Sequence, residues 1–402
     1  MSIITSFRTI RIAEHPKLLW VEIGTSDGIT GLGETFRGAA TVEAAIHGEI
    51  APMLLGKDSR QIGRWAYELQ NPYVGYHSAG AETRAASAVD IALWDAAAKR
   101  QGLPVHEALG GAARDHIKVY NTCAGYSFNS QEGARREITA GDTAIGPYDD
   151  QVTAERDPAA LAESLVAEGY GAMKIWPFDR FATRSGSNRL NDDELAQGVA
   201  AFAAIRERVG NRIELMCELH SLWDAPTALR ICKALELYNI CWVEDPITKM
   251  DDVATLADLR RRTSVPICAS ETLSGLVPYR DLLARDAVDY VMVDPGWCGG
   301  LTTGRKIAAL AEAYARPLAP HDCTGPVALW AGLHLAFHAP TAVFQEVVRA
   351  SLATWYGDIV DHLPLVEKGV IGLPQTPGLG ASLLPKVFER KDVQVRESRF
   401  QG

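Results

Sequence analysis

The chain has 402 residues, of which 47% are hydrophobic and 22% are charged, and its formal net charge is −10. This composition is typical of a folded globular protein long enough for two domains, and it excludes a disordered chain. The acidic balance and the lack of a basic stripe exclude the usual classes of nucleic-acid-binding protein.

The sequence also predicts a cytoplasmic protein that does not contact a membrane. Its N-terminus, MSIITSFRTIRI, lacks the apolar core of a signal peptide, and no later run of about 18 apolar residues could span a bilayer. The seven cysteines are odd in number, have no C-x-x-C spacing and in several cases lie in apolar runs. That usage is typical of reduced, cytosolic chains.

Residues 1–115 are predicted to form an α+β unit. The segments SFRTIRIA and KLLWVEIGTSDGITGLGETF alternate between apolar and polar residues around a turn at Thr25–Gly28, which predicts a hairpin or meander. Apolar residues at three- and four-residue steps then predict helices at Thr41–Leu55, Ile62–Leu69 and Glu82–Gln101, the last followed by a glycine.

Residues 116–350 alternate between predicted strands and predicted helices. The eight apolar runs are KVYNTCAG, GAMKIW, RIELMCE, ICWVE, PICAS, YVMVD, RPLAP and AVFQE. Their number favours a closed parallel (β/α) barrel, although an open doubly wound sheet gives a similar local pattern. Polar residues follow one strand after another, as in barrel enzymes whose sites are built from βα loops, and this favours the barrel.

Two polar segments, Ala140–Gln151 and Phe178–Asn191, are predicted to be inserted loops that could cover a site. Residues 351–402 leave the alternating pattern, and the glycines and prolines of GVIGLPQTPGLGASL mark turns. We expect this last segment to return to the N-terminal unit.

Three glutamates close successive predicted strands: Glu218 in MCELHS, Glu244 in CWVEDP and Glu271 in ICASET. They are 26 and 27 residues apart, about one strand, loop and helix per step of a barrel. A single such glutamate is more often solvated or a helix cap, but three in register favour convergence on one hard cation. Carboxylate oxygens suit Mg²⁺.

A second pair follows the next two predicted strands, Asp294 in VMVDPGWCGG and His321 in LAPHDC. A carboxylate that accepts a hydrogen bond from one imidazole nitrogen raises the basicity of the other, which suits a general base. A buried histidine satisfied by an aspartate for structural reasons is the alternative. His220 is predicted to lie on the same side of an extended segment as Glu218 and to reach the same substrate, with a solvated loop histidine as the alternative.

Over essentially its whole length the chain resembles the enolase superfamily, in its mandelate racemase branch. The resemblance implies an α/β fold, a modified (β/α)7β TIM-like barrel with an N-terminal α+β capping domain, and a Mg²⁺ ion on Glu218, Glu244 and Glu271. It also implies that His321 and Asp294 form the general-base dyad and that Glu346, in VFQE, hydrogen-bonds the substrate carboxylate. Members commonly form homo-oligomers, either dimers or octamers.

The sequence departs from the K-x-K motif that many racemases and some other members of this branch carry at the second barrel strand. Here the segment is Lys174-Ile175-Trp176, so a racemase with two opposed bases is disfavoured. The Glu218-x-His220 arrangement instead resembles that of dehydratases acting on aldonates such as gluconate, galactonate or mannonate, in which the histidine protonates the departing 3-hydroxyl. Lys174 is expected to neutralise the substrate carboxylate or a hydroxylate, or alternatively to extend from a barrel strand towards water.

Other candidate substrate-binding residues lie in loops. In this family the capping domain sets specificity, which implicates Arg37, Tyr73, Tyr76 and His77. Three tryptophans follow predicted strands and could wall the pocket, although packing of loops is the commoner role: Trp176, Trp223 and Trp297.

These features predict a Mg²⁺-dependent sugar-acid dehydratase acting on an aldonate or aldarate. It would abstract the proton α to the carboxylate and eliminate the 3-hydroxyl, giving a 2-keto-3-deoxy acid. The alternatives are a cycloisomerase, lactone-opening enzyme or epimerase of the same superfamily and, outside enzymes, a sugar-acid-binding protein. The intact set of ligands and dyad disfavours the last, because a binding protein does not need a histidine base held by an aspartate.

Overall fold

An antiparallel sheet opens the chain in the computed structural model, which describes residues 2–71, 79–126, 128–129, 146, 148–182 and 188–402. The strands are β1 (Ile4–Ile12), β2 (Leu18–Thr25), β3 (Thr30–Phe36), β4 (His116–Thr122), β5 (Ala172–Ile175), β6 (Glu214–Glu218), β7 (Ile240–Glu244), β8 (Ile267–Ala269), β9 (Tyr290–Val293), β10 (Leu318–Pro320), β11 (Gln345–Val347), β12 (Val366–Glu367), β13 (Val370–Gly372) and β14 (Val393–Arg399).

Helices fill most of the intervals between the strands. They are α1 (Ala39–Ala45), α2 (Ala51–Leu54), α3 (Ile62–Gln70), α4 (Ala81–Gln101), α5 (Val105–Ala108), α6 (Asp150–Arg156), α7 (Pro158–Ala167), α8 (Asp179–Ala182), α9 (Asp192–Val209), α10 (Ala225–Leu235), α11 (Val253–Arg261), α12 (Leu276–Ala284), α13 (Gly300–Ala313), α14 (Pro326–His338), α15 (Arg349–Ala353), α16 (Tyr356–Ile359) and α17 (Pro385–Phe388). A π-helical turn at Ile46–Ile50 joins α1 to α2, and a 3₁₀ turn follows α10 at Glu236–Tyr238.

The capping unit is a sheet with strand order β14-β1-β2-β3, packed on the long helix α4. Contact between β3 and α4 requires glycine, because a Cβ on Gly31 or Gly33 would come within 2.0 Å of the carbonyl oxygens of Ala92 and Ala88. Helix α4 ends as predicted, at Gly102 with a φ of +67°.

Eight parallel strands, β4 to β11, form the barrel. Neighbours pair in chain order from β4 to β10, β11 pairs with β4, and a bridge between Leu318 and Ala342 closes the remaining gap. Seven of the strands are followed by a barrel helix, whereas β11 is followed only by the short α15. All eight predicted strands are present, and the predicted (β/α)7β fold class is confirmed.

Each barrel strand, or the residue just before it, contributes one side chain to a filled interior, as expected of a packed barrel. These are Tyr120, Ala172, Met216, Trp242, Cys268, Met292, Ala319 and Phe344. Several barrel helices begin at a side-chain cap, which defines where the preceding loop ends. Asn191 forms a capping box with Glu194, and Asp224 accepts a hydrogen bond from the backbone N–H of Thr227.

The capping unit lies over the carboxyl ends of the barrel strands. The Thr35 hydroxyl donates to the Gly296 carbonyl over 2.7 Å, and Glu34 accepts from the Val327 backbone N–H over 3.0 Å. Since Gly296 follows β9 and Val327 follows β10, these bonds hold β3 of the cap against the loops in which strand-end residues lie.

The last segment returns to the cap, where β14 runs antiparallel to β1 with Ser6 opposite Arg399. The buried carboxylate of Asp95, in α4, joins this segment to β3 of the cap, because it accepts from the backbone N–H groups of Leu32 and Leu379 over 2.7 Å each. The proposed domain limits at 115/116 and 350/351 stay a prediction.

All seven cysteines are unpaired, and six of them are buried. Among the described residues, no helix has the length and apolarity needed to cross a bilayer. Most of the predicted inserted loop at 140–151 lies outside the described residues, as do residues 183–187 of the second loop, whose first half contains α8.

Candidate active site

The strand-end acids converge at the mouth of the barrel. Glu218 and Glu244 are the last residues of β6 and β7, Glu271 lies two residues beyond β8, and Glu346 lies in β11. All four are buried. Parallel strands deliver their carboxyl ends to one face, so the spacing found in the sequence becomes proximity in the fold.

Lys174, from β5, lies among these acids. Its ammonium is 3.2 Å from Glu218 Oε2 and 3.0 Å from Glu346 Oε1, and it also pairs closely with Glu244. The side chain is only 2% exposed, which rules out the alternative of a lysine extending towards water. Although burial opposes its charge, the surrounding carboxylates hold the pKa of Lys174 well above its ordinary value.

Carboxyl groups outnumber cationic side chains at this mouth. Burial raises the pKa of Glu218 to about 7. The attraction of Lys174 lowers this pKa, and the repulsion of Glu271 raises it. Burial and the neighbouring Glu218 likewise raise the pKa of Glu244. Bringing carboxylates together out of water is costly unless a cation compensates them.

A divalent cation fits this donor set. Glu271 Oε2 is buried and has no hydrogen-bond partner among the described residues. The same part of the chain contains no group of three His, Cys, Asp or Glu side chains already in a ligating arrangement, and Lys174 pairs with two of the three predicted ligands. The predicted ligands therefore supply the right oxygen atoms, but Lys174 would have to yield some of its contacts to a metal.

His321 and Asp294 form a close pair at the ends of β10 and β9. His321 Nδ1 lies 2.8 Å from Asp294 Oδ2, and Asp294 Oδ1 accepts from the backbone N–H of Gly296 over 2.7 Å. The other nitrogen, Nε2, lies 3.8 Å from Glu346 Oε2. Burial lowers the pKa of His321, but Glu346, Asp294 and Glu271 together raise it to about 10. The aspartate fixes one nitrogen and leaves Nε2 facing the carboxylates.

His220 lies in the same region, but the prediction of an extended segment is wrong. Strand β6 ends at Glu218, and His220 and Ser221 have φ values of +49° and +55°, so the segment is turned and not extended. The turn lets the His220 backbone N–H donate to Glu218 Oε1 over 2.6 Å. The ring places Nδ1 2.8 Å from Asp179 Oδ2, at the start of α8.

Two of the predicted tryptophans stand beside the two histidines. The Trp176 ring lies edge-on to His220 at 5.2 Å between centroids, and the Trp297 ring lies 5.4 Å from His321. Trp223, by contrast, is fully buried in the hydrophobic core and is not available as a pocket wall.

Of the four predicted substrate-binding residues of the cap, the structure describes Arg37. It is exposed directly after β3 and lines a groove of about 430 Å³ together with Lys17 and Thr41. Tyr73, Tyr76 and His77 lie outside the described residues.

Three residues at the site were not identified from the sequence. Asp179 contacts His220 from 41 positions away, Arg84 lies over Trp297 at 4.2 Å, and buried Asp245 accepts from Ser270 Oγ over 2.7 Å. Only Asp245 had a signal, as the residue directly after Glu244 at a strand end. The other two pairs join separate elements and leave no periodic pattern in the sequence.

Family models match both parts of the chain. Residues 3–110 match the N-terminal domain of mandelate racemase / muconate lactonizing enzyme, and residues 157–387 match the enolase C-terminal domain-like model.

Among curated proteins, D-galactonate dehydratase from Pectobacterium atrosepticum is 33% identical over 346 residues, covering 85% of this chain and 81% of that protein. D-gluconate dehydratase from Thermoproteus tenax is 30% identical over 373 residues, covering 92% of this chain and 69% of that protein. Among solved structures, an enolase protein from Sargasso Sea environmental sequencing has a TM-score of 0.90 and 55% identity, with complete coverage of both chains. An Agrobacterium tumefaciens enolase of the mandelate racemase subgroup has a TM-score of 0.87 and 42% identity over 99% of each chain.

Proposed function

This chain belongs to the mandelate racemase / muconate lactonizing enzyme family of the enolase superfamily, and we propose that it dehydrates a sugar acid, an aldonate or aldarate, in a Mg²⁺-dependent reaction. It is a hydro-lyase, since curated relatives that align with most of its length are dehydratases. The observation that carries the proposal is a pair of histidines, each with its own aspartate, beside the strand-end carboxylates.

Glu218, Glu244 and Glu271 would hold the cation. Their burial side by side, and a Glu271 Oε2 that has no hydrogen-bond partner in the described part of the chain, support this assignment. When bound, the cation supplies positive charge that stabilises negative charge developing on the substrate carboxylate. Lys174 would hold the substrate carboxylate as a cation, and Glu346 would accept a hydrogen bond from a neighbouring substrate hydroxyl.

His321 would remove the proton at C2 through Nε2. Asp294 supports this role, because its hydrogen bond to Nδ1 holds the ring and stabilises the imidazolium once the proton has been taken. A histidine that must accept a proton has to be neutral beforehand. Charge compensation of Glu271 by a cation would remove one of the causes that raise the pKa of His321.

His220 would protonate the leaving 3-hydroxyl. Asp179, bonded to Nδ1, would stabilise the charged acid and leave Nε2–H to donate. The C2–H and C3–O bonds break, a C2–C3 double bond forms, and one water molecule leaves. The resulting enol takes a proton at C3 to become the 2-keto-3-deoxy acid, so atoms balance without an oxidant or a second substrate.

The test is a screen of sugar acids with Mg²⁺ for 2-keto acid product, beside His321→Asn and His220→Asn. A substrate that is dehydrated by the wild type and by neither variant would support the assignment. Consumption of a lactone with His220 dispensable would instead favour a cycloisomerase. Exchange of the C2 hydrogen with solvent without keto acid formation would favour an epimerase.

A further inference from the structure

Arg84 projects from α4 of the cap towards the base dyad. Its guanidinium lies 4.2 Å from the centre of the Trp297 ring, and Nη1 donates to the Phe36 carbonyl over 2.8 Å. The Trp297 ring in turn lies 5.4 Å from that of His321. One tryptophan therefore separates this arginine from the group that would remove the substrate proton.

Arg84 has no carboxylate within ion-pair distance among the described residues, although it is partly buried. Burial lowers the pKa of Arg84 to about 10, while the charges of Asp294 and Glu271 act in the opposite direction and Arg37 adds to the lowering. These interactions indicate that Arg84 stands near both the site acids and a second cation of the cap. A cation held partly out of water without a counter-ion is costly unless an anion joins it.

The cap adds further positive charge around Arg84. Arg37 packs over Phe36 at 5.6 Å, and Lys17 lies 6.0 Å from Phe36 and 5.3 Å from Phe128. Phe36 stacks on Trp297, and Phe128 contacts Trp176. Arg84 thus contacts Trp297 directly, whereas Arg37 and Lys17 contact the phenylalanines that pack on Trp297 and Trp176.

We propose that Arg84 binds the distal carboxylate of a sugar diacid, and that the substrate is an aldarate and not an aldonate. This inference rests on the proposed function, in which the first carboxylate of the substrate is held at the barrel mouth. The second carboxylate then lies on the cap side of the sugar chain, where Arg84 is placed with Arg37 and Lys17 nearby.

The chemistry distinguishes a diacid from a monoacid because an aldonate ends in a neutral hydroxyl. A guanidinium can donate two parallel hydrogen bonds to the carboxylate of a diacid and compensate its charge. The terminal hydroxyl of a monoacid carries no charge to be compensated. A hydrogen bond to a charged partner is worth roughly 10- to 100-fold in affinity, and this is the size of the expected preference.

The test compares three pairs of ligands with the same configuration from C2 to C5: gluconate with glucarate, galactonate with galactarate, and mannonate with mannarate. Binding is measured by calorimetry in the presence of Mg²⁺ on His321→Asn protein, so that no turnover occurs. Arg84→Gln and Arg84→Lys are added to this background. The matched control is Arg305→Gln, because Arg305 also bonds a backbone carbonyl, that of Leu109 at 3.1 Å, and lies over a tryptophan, Trp94 at 5.9 Å.

We expect at least one diacid to bind about 10- to 100-fold more tightly than its monoacid. Arg84→Gln should abolish this preference while monoacid affinity stays within about threefold, and Arg305→Gln should retain it. If Arg84→Gln does not fold, Arg84→Lys should still lower the preference, because lysine keeps the charge but loses the paired donors. A preference that is absent, or unchanged in the Arg84 variants, would overturn the inference.

Failure of the proposed function has a separate signature. If wild-type protein forms no 2-keto acid from any of the six ligands while the diacid preference depends on Arg84, the site binds a diacid but the reaction is wrong. If keto acid forms equally from monoacids and diacids with or without Arg84, the dehydratase stands and the diacid assignment fails.

Discussion

His220 Nδ1 lies 2.8 Å from Asp179 Oδ2. His321 and Asp294 repeat this relationship at the same distance on the opposite side of the carboxylates. In both pairs the aspartate engages Nδ1 and leaves Nε2 for other partners, although one aspartate begins a helix after β5 and the other follows β9. Two such pairs fit a reaction that takes a proton from one carbon and gives one to the hydroxyl oxygen on the next.

Replacing Asp179 with asparagine should lower kcat at least tenfold, because the imidazolium of His220 would lose the carboxylate that stabilises and orients it. KM should change less than kcat, since Asp179 is bonded to the histidine that would protonate the leaving group. The measurement is steady-state keto acid formation, with Asp179→Glu expected to recover part of kcat. A fall in kcat that is fully explained by a smaller folded fraction would indicate that the role of Asp179 is purely structural.

Replacing His321 with asparagine should reduce kcat/KM by about 10²- to 10⁴-fold, which is the usual contribution of a general base. The fold should persist, because asparagine can still hydrogen-bond to Asp294. Circular dichroism and thermal unfolding check the fold, and exchange of the substrate C2 hydrogen with deuterated water checks the chemistry. Persistent exchange in this variant would assign proton removal to another residue.

Replacing a single barrel-mouth acid should weaken binding of the cation. Isothermal titration of the purified, chelator-treated protein with MgCl₂ should show a site whose affinity falls at least tenfold in Glu244→Gln and in Glu271→Gln, because each loses an anionic oxygen ligand. Glu236→Gln is the control, as Glu236 lies outside the barrel mouth, paired with Lys233. Equal affinities in all of these proteins would contradict the assignment of the ligands.

Lys174→Met should destabilise the protein, measured without divalent cations, by about 3–5 kcal/mol, because it leaves Glu218, Glu244 and Glu346 buried without their common cation. Lys386→Met, which removes an exposed pair with Asp358, should cost no more than about 1 kcal/mol. Urea denaturation measures both. A loss in Lys174→Met no greater than in Lys386→Met would show that the acids are already neutral.

Stability should fall as the pH falls from about 7 to 5 because of His334. Burial lowers the pKa of His334 to about 3 in the folded state; its Nδ1 accepts from the His106 backbone N–H and its Nε2 lies 3.0 Å from the Leu379 carbonyl. The unfolded chain binds a proton near pH 6.5, so acid favours unfolding by about 2 kcal/mol at pH 5. The contribution is fully present above pH 6.5 and is lost towards pH 3.

His334→Gln should flatten this acid dependence, even though its stability at pH 7 is lower. His116→Gln is the control, since His116 is largely exposed beside Asp115. Urea midpoints at pH 7 and pH 5 give the comparison, and an unchanged difference between them in His334→Gln would assign the acid sensitivity to other groups.

The sequence predicted the fold and the strand-end acids for one physical reason. A (β/α) unit has a nearly constant length, so Glu218, Glu244 and Glu271 appear at regular intervals and reach one face. The same regularity placed Asp294 and His321 side by side.

What the sequence did not predict lies outside that periodicity. The turn at His220 is set by left-handed backbone angles, and the Asp179 and Arg84 contacts arise where separate elements meet. Lys174 was assigned to the site, but its ion pairs with three of the acids depend on side-chain packing inside the barrel, which spacing does not encode.

The antiparallel pairing of β1 with β14 has a consequence for the order of events during synthesis. One edge of β1 is covered at once by β2, but the other edge waits for a strand that leaves the ribosome only after the whole barrel. Until then the cap presents an open strand edge, which can pair with other chains. Cellular yield should therefore depend on how quickly translation reaches Val393, and a slow stretch of codons between β11 and β14 should increase aggregation without changing the finished protein.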